Sequence, residues 1–183
     1  MKKILFVLGI LILAATGVSA QFKSASLQAA GLTCAMCTKA INNAVEELSF
    51  VKKVDVDIKS STFVIDFKEG ADVDVDALKK AVEEAGFSVA KLKLKGNFDK
   101  LAVKNDAHVE IDGKTFHFLN VKDQTLDGEK TLTVVDKNYV SAKEFKKFAS
   151  ATKMECVQTG KAASCCKKEA ADSNARIYHV TLG

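Results

Sequence analysis

The sequence contains no proline and no tryptophan, and only two tyrosines and three histidines among 183 residues. Without proline no cis X-Pro bond is available, so folds that set a cis-proline against a reactive group are excluded. Aromatic residues make up 7% of the chain and are mostly phenylalanine, while 27 basic residues are interleaved with 23 acidic ones. That pattern reads as an ordinary solvated surface and lacks the basic stripe with stacking aromatics that nucleic acid would require. No Ser, His and acid grouping and no zinc-protease motif is visible, so the chain reads as a binding protein and not an enzyme.

One long apolar run exists, from Ile4 to Ala15. It is shorter than the roughly 20 residues a membrane span needs. Lys2 and Lys3 precede it and Val18-Ser19-Ala20 follows it, the three-part pattern of a cleaved signal peptide over residues 1–20. The expectation is an exported protein, periplasmic or secreted, with no stable membrane anchor after cleavage. Cleavage removes Lys2 and Lys3 and no acidic residue, so the net charge falls from +4 to +2. The remaining length suits one large domain or two small ones.

The informative stretch is Gly31-Leu32-Thr33-Cys34-Ala35-Met36-Cys37. A strand-like run, Leu27 to Ala30, ends just before it. Ala40, Ile41, Ala44, Val45 and Leu48 continue after it at helical spacing. Two thiols three residues apart therefore sit on a loop entering a helix, where unpaired amides and the helix dipole favour the thiolate, the form that binds metal. Two soft sulfur ligands on one exposed loop suit Cu(I) best, and would also accept Zn(II), Cd, Hg(II) or Ag. Lys39 lies close to the helix start, where it would offset thiolate charge or simply be solvated. Further on, Val51 to Ile58 and Thr62 to Phe67 alternate as half-buried strands. Asp74 or Asp76 caps a helix that runs through Ala85 to a stop at Gly86, and Ser88 to Leu94 is a fourth strand.

Loop and element order together resemble the heavy-metal-associated (HMA) domain family, found in copper chaperones, copper-pumping ATPases and periplasmic mercury-binding proteins. The resemblance spans about Phe22 to Lys95. It implies a ferredoxin-like βαββαβ fold with Cys34 and Cys37 as metal ligands and Phe87 near the metal. Leu32 replaces the family's usual Met, a side chain buried under the loop, and would keep its packing. The implied partners are the metal ion and a metal-transporting membrane protein or another metal-binding domain. Two other readings of the same thiols remain open. One is a thioredoxin-like redox pair, which the missing Trp and cis-Pro argue against, and the other is a simple disulfide.

The division expected is residues 21–95 as the HMA domain, 96–106 as a polar linker or a first irregular strand, and 107–183 as a mainly-β domain. In the last, Ala107 to Ile111 and Lys114 to Val121 flank Asp112-Gly113 as a hairpin with a primed turn. Asp127-Gly128 marks another turn before Thr131 to Val135. Ser141 caps a helix through Ala151, and Met154 to Val157 and Ile177 to Leu182 supply two strands. Three strands, a helix and two strands is an OB-like order, so the whole reads as α+β.

Cys156, Cys165 and Cys166 gather near a loop rich in Lys, Ala, Ser and Asp. An oxidising compartment favours a disulfide there, and the odd total of five cysteines leaves at least one outside any intrachain pair. The alternative is a second soft-metal site from those three, with Met154 or His179 added. His108 and His117 fall on strands with no feature bringing them together, and His117, between Phe116 and Phe118, is expected to face solvent.

Overall fold

Period-2 alternation at one end of the chain and two short amphipathic helices build a split βαββαβ unit. The structure, a computed structural model, describes residues 21–32, 34–163, 166 and 174–183. The segment read as a signal peptide lies outside the described residues, as do Thr33 and Cys165. The elements run β1 (Gln21–Ala30), α1 (Ala35–Glu46), β2 (Val51–Asp57), β3 (Thr62–Phe67), α2 (Val75–Glu84) and β4 (Ser88–Val103). The helical crossovers leave β3 between β2 and β1, so the order is β2-β3-β1-β4 with every neighbour antiparallel. Ala25, Leu27, Phe63, Ile65, Leu92 and Leu94 are buried on one face. Onto them pack Ile41 and Val45 of α1, and Val75, Leu78, Ala81 and Val82 of α2. On the other face Val64 and Asp66 are exposed. Asp74, not Asp76, caps α2, accepting from the Ala77 amide at 3.0 Å. Paired bonds from Phe87 N to the Val82 carbonyl and Gly86 N to the Glu83 carbonyl close the helix and turn the chain into β4.

Two expectations are corrected beyond Leu94. Residues 96–103, read as linker or as a separate irregular strand, belong to β4, which runs sixteen residues to Val103. Gly96 and the polar Asn97, Asp99 and Lys100 hide the alternation, yet Phe98 and Val103 are buried. The second is the OB-like barrel. The later strands, β5 (Ala107–Ile111), β6 (Lys114–Phe118), β7 (Gln124–Val134) and β8 (Ile177–Leu182), extend the same sheet in the order β2-β3-β1-β4-β7-β8-β6-β5. Among the described residues no barrel closes: β2 and β5 are the two ends of one open sheet, and β7 pairs along β4 from Leu92 to Val103. Asp127-Gly128 lies inside β7, with Gly128 opposite Phe98 beside a bulge at Asp99-Lys100.

The hairpin with Asp112 and Gly113, both at positive φ, forms as expected. So does α3 (Ala142–Ala149), where Ser141 and Glu144 make a reciprocal capping box. Met154 to Val157 is not a strand. The chain there enters a short helix, α4 (Cys156–Thr159), ended by Gly160. Buried side chains of β4 to β8 join those of the βαββαβ unit in one continuous core, so the units 21–95 and 107–183 share both sheet and interior. A polar bridge adds to this. Arg176 donates to Asp76 at 2.8 Å and to Asp136 at 3.1 Å, while the Tyr139 hydroxyl donates to Asp76 at 2.7 Å.

Three outcomes follow. Leu94→Ala, fully buried between β1 and β7, is expected to cost about 2–5 kcal/mol. Because the core is shared, urea unfolding followed by far-UV dichroism and by tyrosine fluorescence should shift together as one transition. Burial opposes ionisation of Asp76, but bonds from Arg176 and Tyr139 outweigh it and hold its carboxyl below the usual range. Its stabilisation is therefore complete above about pH 4, the ordinary Asp value, and lost as pH falls through the lower folded value. Asp76→Asn should cost about 1–2 kcal/mol near neutrality, after allowance for solvent screening. The gap to the parent should close in urea titrations repeated toward about pH 2.

Candidate functional site

At the end of β1 the pairing of Ala30 with Ser88 brings the two strand ends side by side, so Phe87 stands across from Gly31 in register. Gly31, at φ 83°, turns the chain out of the sheet, a conformation that glycine adopts without steric cost. Leu32 then packs half-buried on the core, as does Phe87. Cys34 is extended and serves as the N-cap of α1, its Sγ accepting from the Cys37 amide at 3.3 Å. Cys34 is exposed and Cys37 half-buried. Met36 between them is 76% exposed and turned to solvent, and Lys39 is exposed as well. No acidic residue occupies the first turn of α1, so no carboxylate competes with the sulfurs for the helix terminus. The result is a shallow, open place with two sulfurs on one helical turn.

The other singled-out residues fall far along the sheet. His117 does not face solvent: Phe116 and Phe118 are buried in the main core on one face, and α3, α4 and the segments around them cover the opposite face, where His117 is fully buried. Cys156, at the start of α4, is buried with its Sγ 3.5 Å from His179 Nε2, 3.6 Å from His117 Nδ1 and 3.7 Å from His108 Nε2. Cys166 is buried in the same group, within 4.8 Å of the Cys156 and His108 ligand atoms. Cys165, and any pairing through it, lies outside the described residues. Met154 packs half-buried beside Cys156 and Cys166. On their far sides, His179 Nδ1 meets Asp136 Oδ1 at 2.6 Å and His117 Nε2 meets Asp106 Oδ1 at 2.9 Å. Burial, with His108 and His179 alongside, pushes His117 down to about 4 against the pull of Asp106, so its imidazole is neutral at neutral pH.

Sequence reasoning missed His108, His117, Asp106 and Asp136. Part of the signal was present. A two-residue turn at Asp112-Gly113 pairs His108 directly with His117, as the strand register does. The juxtaposition with His179 arises only because β8 inserts beside β6 in parallel, placing His179 opposite His117.

Residues 26–88 match the heavy-metal-associated domain family. The copper chaperone CopZ of Bacillus subtilis is 33% identical over 66 residues, which are 36% of this chain and 94% of that protein. The chain belongs to the heavy-metal-associated domain family. A probable copper-exporting P-type ATPase of Archaeoglobus fulgidus is 36% identical over 64 residues, 35% of this chain but only 8% of the ATPase. Among solved structures, the yeast copper transporter domain Ccc2a in apo and Cu(I)-loaded states is 27% identical. That alignment covers 37% of this chain and 90% of the domain, with a TM-score of 0.33. Oxidised MerP from Ralstonia metallidurans CH34 is 32% identical over 39% of this chain and 97% of its own, also at 0.33. The HMA match ends at Ser88, the first residue of β4, and everything from β5 onward lies outside it.

The capping role of Cys34 has a measurable consequence. Serine is a strong N-cap, so Cys34→Ser is expected to hold or raise the stability of the reduced, metal-free protein. Cys34→Ala, which removes the acceptor, should lie about 1 kcal/mol below the serine variant in urea unfolding.

Proposed function

We propose that this protein is an exported carrier of soft metal, with Cu(I) as its cargo, held by the thiolates of Cys34 and Cys37. One observation carries the reading: two sulfurs share the open N-terminal turn of α1, one exposed and one half-buried, on an HMA scaffold. Near-linear coordination by two thiolates satisfies Cu(I) while leaving its flanks open. An incoming thiolate from an acceptor then forms a three-coordinate intermediate, after which one of the two original sulfurs departs. Each step exchanges one metal–sulfur bond for another and needs no acid–base group. Exposed Met36 and Lys39 flank the sulfurs, where an acceptor surface would dock.

The acceptor fitting this chemistry is a metal-transporting membrane protein or another small domain presenting paired thiols. The similarity to a copper chaperone and to a segment of a copper-exporting ATPase supports that choice. Export rests on the Lys2 to Ala20 pattern, and places the carrier in the periplasm or outside the cell. Among the described residues no helix is long and apolar enough to cross a membrane.

An anaerobic Cu(I) titration of the reduced protein against a competing chelator tests the reading. The parent is expected to take up one tightly bound equivalent more than Cys34→Ser/Cys37→Ser. Uptake unchanged in that variant would reject the loop as the carrier site. Preference for Hg(II) over Cu(I) in the same competition would keep the site and change the cargo.

A further inference from the structure

The geometry points to a second metal site, buried between the sheet and α4. We propose that His117, Cys156 and His179 bind a first-row ion that accepts mixed imidazole and thiolate ligands, Zn(II) or copper, beside a second set of His108, Cys156 and Cys166 that shares the same sulfur. The inference does not rest on the reading of Cys34 and Cys37, since no residue is shared.

Distances come first. Bonds of about 2.3 Å to sulfur and about 2.05 Å to nitrogen give a tetrahedral S···N edge of about 3.6 Å. The three Sγ-to-nitrogen separations are 3.5, 3.6 and 3.7 Å, so these sulfur–nitrogen edges match that length. The ligand atoms of His117, Cys156 and His179 lie within 4.8 Å of one another, and so do those of His108, Cys156 and Cys166. Cys156 belongs to both groups, so the cluster offers two three-ligand sets that share one sulfur.

Ligand orientation comes second. Asp136 and Asp106 are acceptors, so His179 donates from Nδ1 and His117 from Nε2. The other ring nitrogens, His179 Nε2 and His117 Nδ1, face Cys156 Sγ at 3.5 and 3.6 Å.

The setting is the third observation. Carboxylates behind metal-bound imidazoles fix the tautomer and ring orientation and raise ligand basicity, and both rings have one here. Asp136 is itself held by Arg176 at 3.1 Å and by the His179 amide at 3.2 Å. Cys156, His117 and His179 are fully buried, which removes them from any substrate and argues against a nucleophilic cysteine. Mixed imidazole and thiolate ligands select Zn or copper over the hard ions. Closed burial suits an ion that stays, in contrast to the open loop at α1.

The test uses the full chain carrying Cys34→Ser and Cys37→Ser, so that the loop contributes nothing. Co(II), Zn(II) and Cu(I) are offered separately under reducing conditions, followed by desalting and elemental analysis. One retained equivalent is expected, and the Co(II) form should show a tetrahedral ligand-field spectrum with a thiolate charge-transfer band. Adding Cys156→Ser should abolish the band. Asp106→Asn, at a partly exposed position, should weaken binding 10- to 100-fold with the far-UV spectrum unchanged. No retention of any of the three ions would overturn the proposal, as would retention unaltered by Cys156→Ser. Recovery of Cys156 in a disulfide from protein purified without reductant would assign the cluster a structural bridge instead.

Discussion

The fold depends on β4 being hydrogen-bonded along both of its edges. On one side it completes the four-stranded HMA sheet through β1, and on the other it accepts β7 along its length. A strand in that position cannot act as a tether. It transmits sheet, twist and core from one half to the other, so α1 and α2 pack over an interior that continues beneath β6, β7 and β8. Small residues make this tolerable: a side chain at Gly96 would come within 3.0 Å of the Gln21 carbonyl. The bridge of Asp76, Arg176 and Asp136 then ties the start of α2 to the covered face of the later strands.

The two candidate metal places differ in their physics. Cys34 and Cys37 sit where backbone amides run out and solvent begins, an arrangement that favours exchange. Cys156 sits where three imidazoles, a second thiol and two carboxylates exclude water, an arrangement that favours retention. One chain thus joins an open pair of soft ligands to a closed mixed set. The carboxylate oriented toward His179 is the same one that Arg176 links to Asp76.

How much of this could be read from the sequence follows from what each feature depends on. The βαββαβ order, the Ser141 cap and the Asp112-Gly113 turn are local, set by periodicity and by residues within a few positions of each other. The CxxC loop is local as well. The continuation of β4 was hidden because its partner on each side compensates for Gly96 and the polar residues around it. The short helix at Cys156 was mistaken for strand because four residues, Met154 to Val157, are too few to show a helical period. His117 was placed on the solvent side because alternation assumes one wet face, whereas α3, α4 and their flanking segments cover that face here. The His117–His179 contact depends on a parallel pairing between strands about sixty residues apart, which no local pattern encodes.

That pairing has a bearing on the order of events during folding. β8 is the last strand along the chain, yet it lies inside the sheet, with β6 on one side and β7 on the other. Until it inserts, β5 and β6 form a hairpin detached from the strands that follow. Insertions between distant partners are entropically slow. His179 arrives with β8, so the buried donor cluster comes into being only in this closing step. The exposed cysteines, built on the first two elements, depend on no such event. In a newly made chain the exposed cysteine loop would therefore take shape before the buried donor cluster.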